Sequence, residues 1–171
     1  MNQQRPKTSP SGDEKHAHRL HELMSEFETA MLVTCEAGEM FARPMTVAEV
    51  DPNNDVWFST SINSPKSGII RTYPQVLVTM QNDSRFVSIG GTCEISRDRQ
   101  QIDRLWSNSW KIWFPQGKRD PSLALLRVHI ENGEYWDLHG THGLKFLWEA
   151  AKARFTGKKV ETDPAGDHGK L

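Results

Sequence analysis

Residues Ala42 to Arg71 read ARPMTVAEVDPNNDVWFSTSINSPKSGIIR, and the architecture follows from this stretch. It divides into a strand, a dense turn, a second strand and a short helix. Arg43-Pro44-Met45 lies on the first strand (Met40–Val50), where Pro44 removes a ladder donor and predicts an edge or an irregularity. Asp51 to Asp55 (DPNND) is the turn. Val56 to Ser61 sets Val56, Phe58 and Thr60 against Trp57, Ser59 and Ser61, the alternation of a half-buried strand. Ser64 stands at the N-cap and Pro65 at the first position of a helix that ends by Thr72-Tyr73, before Pro74. Lys66 adds a positive charge beside free backbone N–H groups. This helix start is either suited to a phosphate or is a capped surface helix with a solvated lysine.

Outward from this stretch, residues 1–13 are a polar tail expected to be disordered, as are residues 157–171. Between them lies one domain, 14–156. It opens on an amphipathic helix, Glu14 to Glu28, with Leu20, Leu23, Met24 and Phe27 at helical spacing. Strands follow at Ala30–Cys35, Val76–Gln81 and Phe86–Ser96, the last interrupted by Gly90-Gly91, which predicts a bulge or a close approach. Asp98 to Ser107 reads as a helix. Leu123–Ile130 and Glu134–Asp137 read as two strands joined at Asn132-Gly133, and Leu144–Phe155 as a last helix. Short turns between strands, with helices inserted, predict a mainly β fold with flanking helices: a small β-barrel. A doubly wound nucleotide fold is disfavoured, because there is no GxGxxG and hairpin turns outnumber crossover helices.

Composition narrows the function. Hydrophobic residues make up 36% and charged residues 25% of the 171, and the formal charge is -1, which gives no reason to expect nucleic acid. No apolar run approaches the roughly 20 residues that span a bilayer, and the N-terminus lacks a signal-peptide core, so a cytoplasmic protein without a membrane partner is expected. Cys35 and Cys93 are far apart and read as small buried thiols. His16, His18 and His21 lack a metal-site constellation and read as a solvated helix face, so no metal is expected. There is no GxSxG, Walker A or HExxH motif, and no carboxylate pair is marked for acid–base work, so no catalytic residue is named.

Two further features carry chemistry. Arg43 sits in an otherwise apolar strand and needs a partner, either a carboxylate such as Glu49 or a ligand phosphate or carbonyl. Trp106, Trp110, Trp113 and Phe114 cluster in one segment, with Trp136 further on. Such density suits core, a subunit interface or the wall of a flat-ring pocket.

In order and spacing, AMLVT (Ala30–Thr34), ARPM (Ala42–Met45), VWFSTSINSPK (Val56–Lys66), VSIGGTCEI (Val87–Ile95), WFPQGKRDP (Trp113–Pro121) and EYWD (Glu134–Asp137) resemble the pyridoxamine 5′-phosphate oxidase-like, FMN-binding split barrels, in particular their general stress protein 26 group. The resemblance runs from about Glu14 to about Gly157. It implies a split β-barrel, a flavin cofactor (FMN or FAD) and a homodimer with flavin at the interface. It implies that Arg43, Pro44, Met45 and Thr46 lie along the flavin, and that Ser59, Thr60, Ser64 and Lys66 hold its phosphate end. The segment containing Lys111, Trp113 and Phe114 would face the partner's cofactor, and Trp136 would support the ring. A flavin-dependent oxidoreductase of unspecified substrate and electron donor, linked to stress, is the leading expectation. A non-catalytic flavin carrier or sensor is the alternative, and a haem- or F420-binding split barrel a further one. Pyridoxamine phosphate oxidation itself is disfavoured. The oxidases carry an arginine-lysine pair where this chain has Pro65-Lys66, and an R-x-H segment where it has Asp137-Leu138-His139-Gly140-Thr141-His142.

Overall fold

Ala37 and Gly38 take positive φ values of 51° and 88°, and this tight turn folds β1 (Thr29–Glu36) against β2 (Glu39–Val50). The computed structural model describes residues 12–138 and 167–170. Within them α1 (Gly12–Ser25) precedes the hairpin, and β3 (Val56–Ser61), α2 (Pro65–Thr72), β4 (Gln75–Gln81) and β5 (Arg85–Ser96) follow it. Next come α3 (Arg99–Leu105), 3-10 turns at Asn108–Ile112 and Gly117–Arg119, β6 (Leu123–Asp137) and β7 (Asp167–Lys170). All pairings are antiparallel in the order β3-β2-β1-β4-β5-β6, and β3 pairs with β6, so six strands close a barrel; β7 adds to β6 outside it. The mainly β barrel with flanking helices expected from the sequence is therefore the observed fold.

Inward-facing residues fill the barrel: Leu32, Phe58, Val78, Ile89, Leu126 and Val128 are fully buried. The helix α1 covers one end with Leu20, Leu23 and Met24, and is tied down where the buried Asp137 receives Arg19 and Arg85. The opposite end is covered by α2, which packs on β1 and β5. A second cluster lies outside β3 and β6, where Trp57, Ile102, Trp110, Phe114, Leu123 and Leu125 bury one another. Hence β3 is covered on both faces, not half-buried as its alternation suggests: α3 and the first 3-10 turn shield Trp57, whose indole donates to Asp51 at 3.0 Å.

Two local features decide the barrel's shape. β3 meets β2 only at Val47, Glu49 and Val50, so the β2 edge on either side of Pro44 stays open, as the proline predicts. Gly90-Gly91 marks a register shift against β6, where Gly90 faces Asn132 and Gly91 faces Ile130. A Cβ on Gly91 would lie 2.0 Å from the His129 carbonyl oxygen, so only glycine permits this approach.

Two expectations are corrected. Asn132-Gly133 is not a hairpin turn: β6 runs unbroken from Leu123 to Asp137 along β5, with Glu131 as the bulged residue. Gly133 serves packing there, since a Cβ on it would meet Leu20 at 2.8 Å and Ile89 at 3.2 Å. Secondly, Asp167–Lys170, placed by sequence in a polar tail, pairs with the exposed edge of β6. The expected helix Leu144–Phe155 and the loop residues His139 and His142 lie outside the described residues. Both cysteines are free, and burial, reinforced by Glu94, pushes the Cys93 thiol up to about 12. His16 contacts the Tyr135 hydroxyl, His21 contacts Asn54 and His18 faces Glu22, so this helix face is partnered rather than merely solvated.

Candidate functional site

The open edge of β2, the end of β3 and the start of α2 enclose a cavity of about 380 Å³. Pro44, Met45 and Thr46 line it from β2, Ser59, Thr60 and Ser61 from β3, Lys66 from α2, and Trp113, Phe114 and Ser122 from the segment before β6. Eight of the sequence-nominated residues thus meet at one place in a single chain: Pro44, Met45, Thr46, Ser59, Thr60, Lys66, Trp113 and Phe114.

Its polar end is built by strand β3 and the helix behind it. The Thr60 hydroxyl lies 3.4 Å from the Ser64 hydroxyl, which lies 2.9 Å from that of Ser67, and Ser67 donates to the Ser61 carbonyl at 2.7 Å. Ser64 therefore occupies the N-cap position without a side-chain cap bond; its hydroxyl is engaged in this chain instead. The Lys66 ammonium is held below its ordinary pKa, first by burial and then by the guanidinium of Arg43. Arg43 is half-buried, and its Nη1 has no hydrogen-bond partner. Glu49, the carboxylate considered for it, instead takes both Nη atoms of Arg104 at 2.6 Å. A guanidinium and an ammonium thus lie together without a carboxylate among the described residues, an arrangement that suits an anion.

The other end is aromatic. Ser107 accepts from the Ser109 amide and starts the 3-10 turn Asn108–Ile112, whose Trp110 is 2% exposed and edges onto Trp106 at 5.7 Å. Amides of Trp113 and Phe114 both donate to the Trp110 carbonyl, at 3.0 and 2.9 Å. This anchoring leaves Phe114 buried at 3% and Trp113 at the rim, 62% exposed. An exposed indole beside a cavity is a ready stacking surface. Lys111 is exposed on the same turn and does not line the cavity. Trp136 is also elsewhere: it lies on β6 between Phe86 of β5 and His168 of β7, and this chain does not bring it to the cavity.

Ser61 and Ser122 line the cavity without having been singled out by sequence. Ser61 is visible in hindsight as the end of the Ser-Thr-Ser run. Ser122 has no local signal; it arrives through the β3–β6 ladder, where the Ile62 amide donates to its carbonyl at 2.8 Å. Its hydroxyl and amide both donate to Asp120, holding that carboxyl below its usual range. Among the described residues no Asp, Glu, His or Cys lines the cavity, and no cluster of metal-ligating side chains occurs.

The chain is similar to solved structures over most of its length. A candidate general stress protein 26 from Jannaschia sp. CCS1 superposes with a TM-score of 0.70 at 25% identity, covering 92% of this chain and 98% of that one. A protein from Clostridium acetobutylicum related to general stress protein 26 gives 0.63 at 25% identity, covering 73% and 90%. A general stress FMN/FAD binding protein from Xanthomonas citri gives 0.63 at 26% identity, covering 75% and 92%. No curated protein sequence matches. The family model described as pyridoxamine 5′-phosphate oxidase like matches residues 15–161. With that match and the split barrel just described, the chain belongs to the pyridoxamine 5′-phosphate oxidase-like family.

Proposed function

We propose that the protein binds a flavin nucleotide, FMN or FAD, in this cavity and works as a flavin-dependent oxidoreductase in the stress response. One observation carries the reading: Lys66, with the Arg43 guanidinium near enough to lower its pKa and no carboxylate paired with either among the described residues, meets an aromatic rim on a single cavity. Lys66 and Arg43 would hold the phosphate, the Ser59–Ser61 hydroxyls its remaining oxygens, and Trp113 with Phe114 the flat ring. The name of the Xanthomonas citri relative, which includes FMN/FAD binding, supports the same ligand. When bound, the flavin supplies hydride and single-electron transfer, and the protein supplies orientation and a desolvated wall.

Among the described lining residues the ammonium of Lys66 is already assigned to the phosphate, which favours a second reading, a flavin carrier or sensor without turnover.

We further propose a cytoplasmic homodimer. Met31, Leu77 and Phe86, each more than a third exposed, project from the outer face of β1, β4 and β5, and a second copy would cover them. Two free cysteines suit a reducing compartment.

The absorption spectrum of the purified protein, followed by fluorescence titration with FMN, FAD and riboflavin, tests the ligand. A flavin spectrum or tight titration is expected; a colourless protein that quenches none of the three overturns the reading. Anaerobic reduction by NAD(P)H then separates oxidoreductase from carrier, and sedimentation tests the dimer.

A further inference from the structure

Among the described residues two buried side-chain polar atoms have no hydrogen-bond partner: Arg43 Nη1 and Thr34 Oγ1. They are not independent. In the β1–β2 ladder Leu32 opposes Arg43 and Thr34 opposes Phe41, so Thr34 and Arg43 are diagonal neighbours on the inward face, within reach of a long side chain. Thr34 is fully buried. It lies toward the barrel end that α2 covers, and Lys66 stands at the start of α2 close enough to Arg43 to feel its charge. The hydroxyls around this place, Ser64 and Ser67, already have partners. What remains is a buried hydroxyl and a guanidinium N–H beside an ammonium, all able to donate and none facing a carboxylate. Two positive charges favour an anionic acceptor over a water molecule, whose own hydrogens would need acceptors in turn.

We propose that Thr34 Oγ1 and Arg43 Nη1, with Lys66 near Arg43, form a buried anion subsite beneath α2, and that Thr34 is a binding residue of the protein. The anion is either the terminal phosphate of the bound ligand, in which case the subsite rests on the flavin reading, or a free inorganic anion of chloride size. Both supply the same chemistry, a compact negative acceptor.

Thr34→Val is near-isosteric and removes only the donor, and Thr34→Ser restores it. In one arm, dissociation constants for FMN and riboflavin are measured by fluorescence. In the other, melting temperature is followed in sodium chloride against sodium gluconate at equal ionic strength. If the ligand phosphate fills the subsite, Thr34→Val loses about tenfold in FMN affinity, keeps riboflavin affinity, and Thr34→Ser recovers FMN binding. If a free anion fills it, chloride stabilises the parent and Thr34→Ser but not Thr34→Val, while FMN affinity is equal in all three. The proposal is overturned if Thr34→Val matches the parent in both arms, or if it weakens FMN and riboflavin alike with no chloride effect. Should the parent bind no flavin, the flavin reading fails by itself and the chloride arm alone decides the subsite.

Discussion

Arg43 stands close enough to Lys66 that, after burial, its guanidinium further lowers the ammonium's pKa, and neither is paired with a carboxylate among the described residues. Like charges brought together in a partly buried place are unfavourable unless something negative joins them. Lys66→Ala should therefore weaken FMN binding by about 1.5–3 kcal/mol, the worth of a charge-assisted contact. Riboflavin, which lacks the phosphate, should bind both proteins equally. Fluorescence titration of the two ligands checks this, and equal loss for both would remove Lys66 from the phosphate.

The same depression fixes a pH dependence. Lys66 in the folded protein gives up its proton below the ordinary value of 10.5, so between its lowered pKa and 10.5 the unfolded chain holds more protons. Stability from this group therefore rises with pH across that window, and is lost as pH falls through the lowered pKa. Anion binding needs the charged lysine, so FMN affinity should move the opposite way and decline as pH climbs through the window. Urea midpoints and FMN titrations between neutral pH and 10.5 test both signs; Lys66→Met should flatten both curves.

Trp113 and Phe114 are neighbours in sequence and opposites in environment, 62% and 3% exposed. Phe114→Ala should cost about 3–5 kcal/mol of stability, the usual loss for a buried ring. Trp113→Ala should stay within about 0.5 kcal/mol of the parent, yet lose flavin retention or dimerisation. Denaturation, sedimentation and flavin content together separate the two roles.

Gly91→Ala should destabilise by about 3 kcal/mol or more through overpacking, because its Cβ would stand 2.0 Å from backbone that cannot yield. Gly38→Ala meets nothing within 4 Å, so only its φ of 88° counts. Its penalty should be about 1 kcal/mol. Thermal melts of the two variants should rank accordingly.

Features set by a residue's own backbone chemistry were readable without a structure. Pro44 announced the open edge and Gly90-Gly91 the bulge, and the residues around Lys66 announced the helix start. Features set by a distant partner were not. Asn132-Gly133 carries a strong hairpin signal, but continuous pairing with β5 and the packing of Gly133 on Leu20 override it. The strand bearing Trp57 read as half-buried because alternation is blind to α3 lying over its outer face. That Glu49 is taken by Arg104, leaving Arg43 without it, depends on two residues brought together by α3 packing. Three of the six short motifs supply the cavity's main walls, whereas the places of Ser122 and Thr34 became visible only through the register of their strands.

The open β2 edge has a consequence for solubility. A strand with an unpaired flank is a template on which another molecule's strand can zip, the usual seed of edge-to-edge aggregation. At Pro44 the template lacks a donor, and a proline ring stands where an incoming strand would seek its next bond. The residue that leaves this wall of the cavity open also keeps a foreign strand from pairing there.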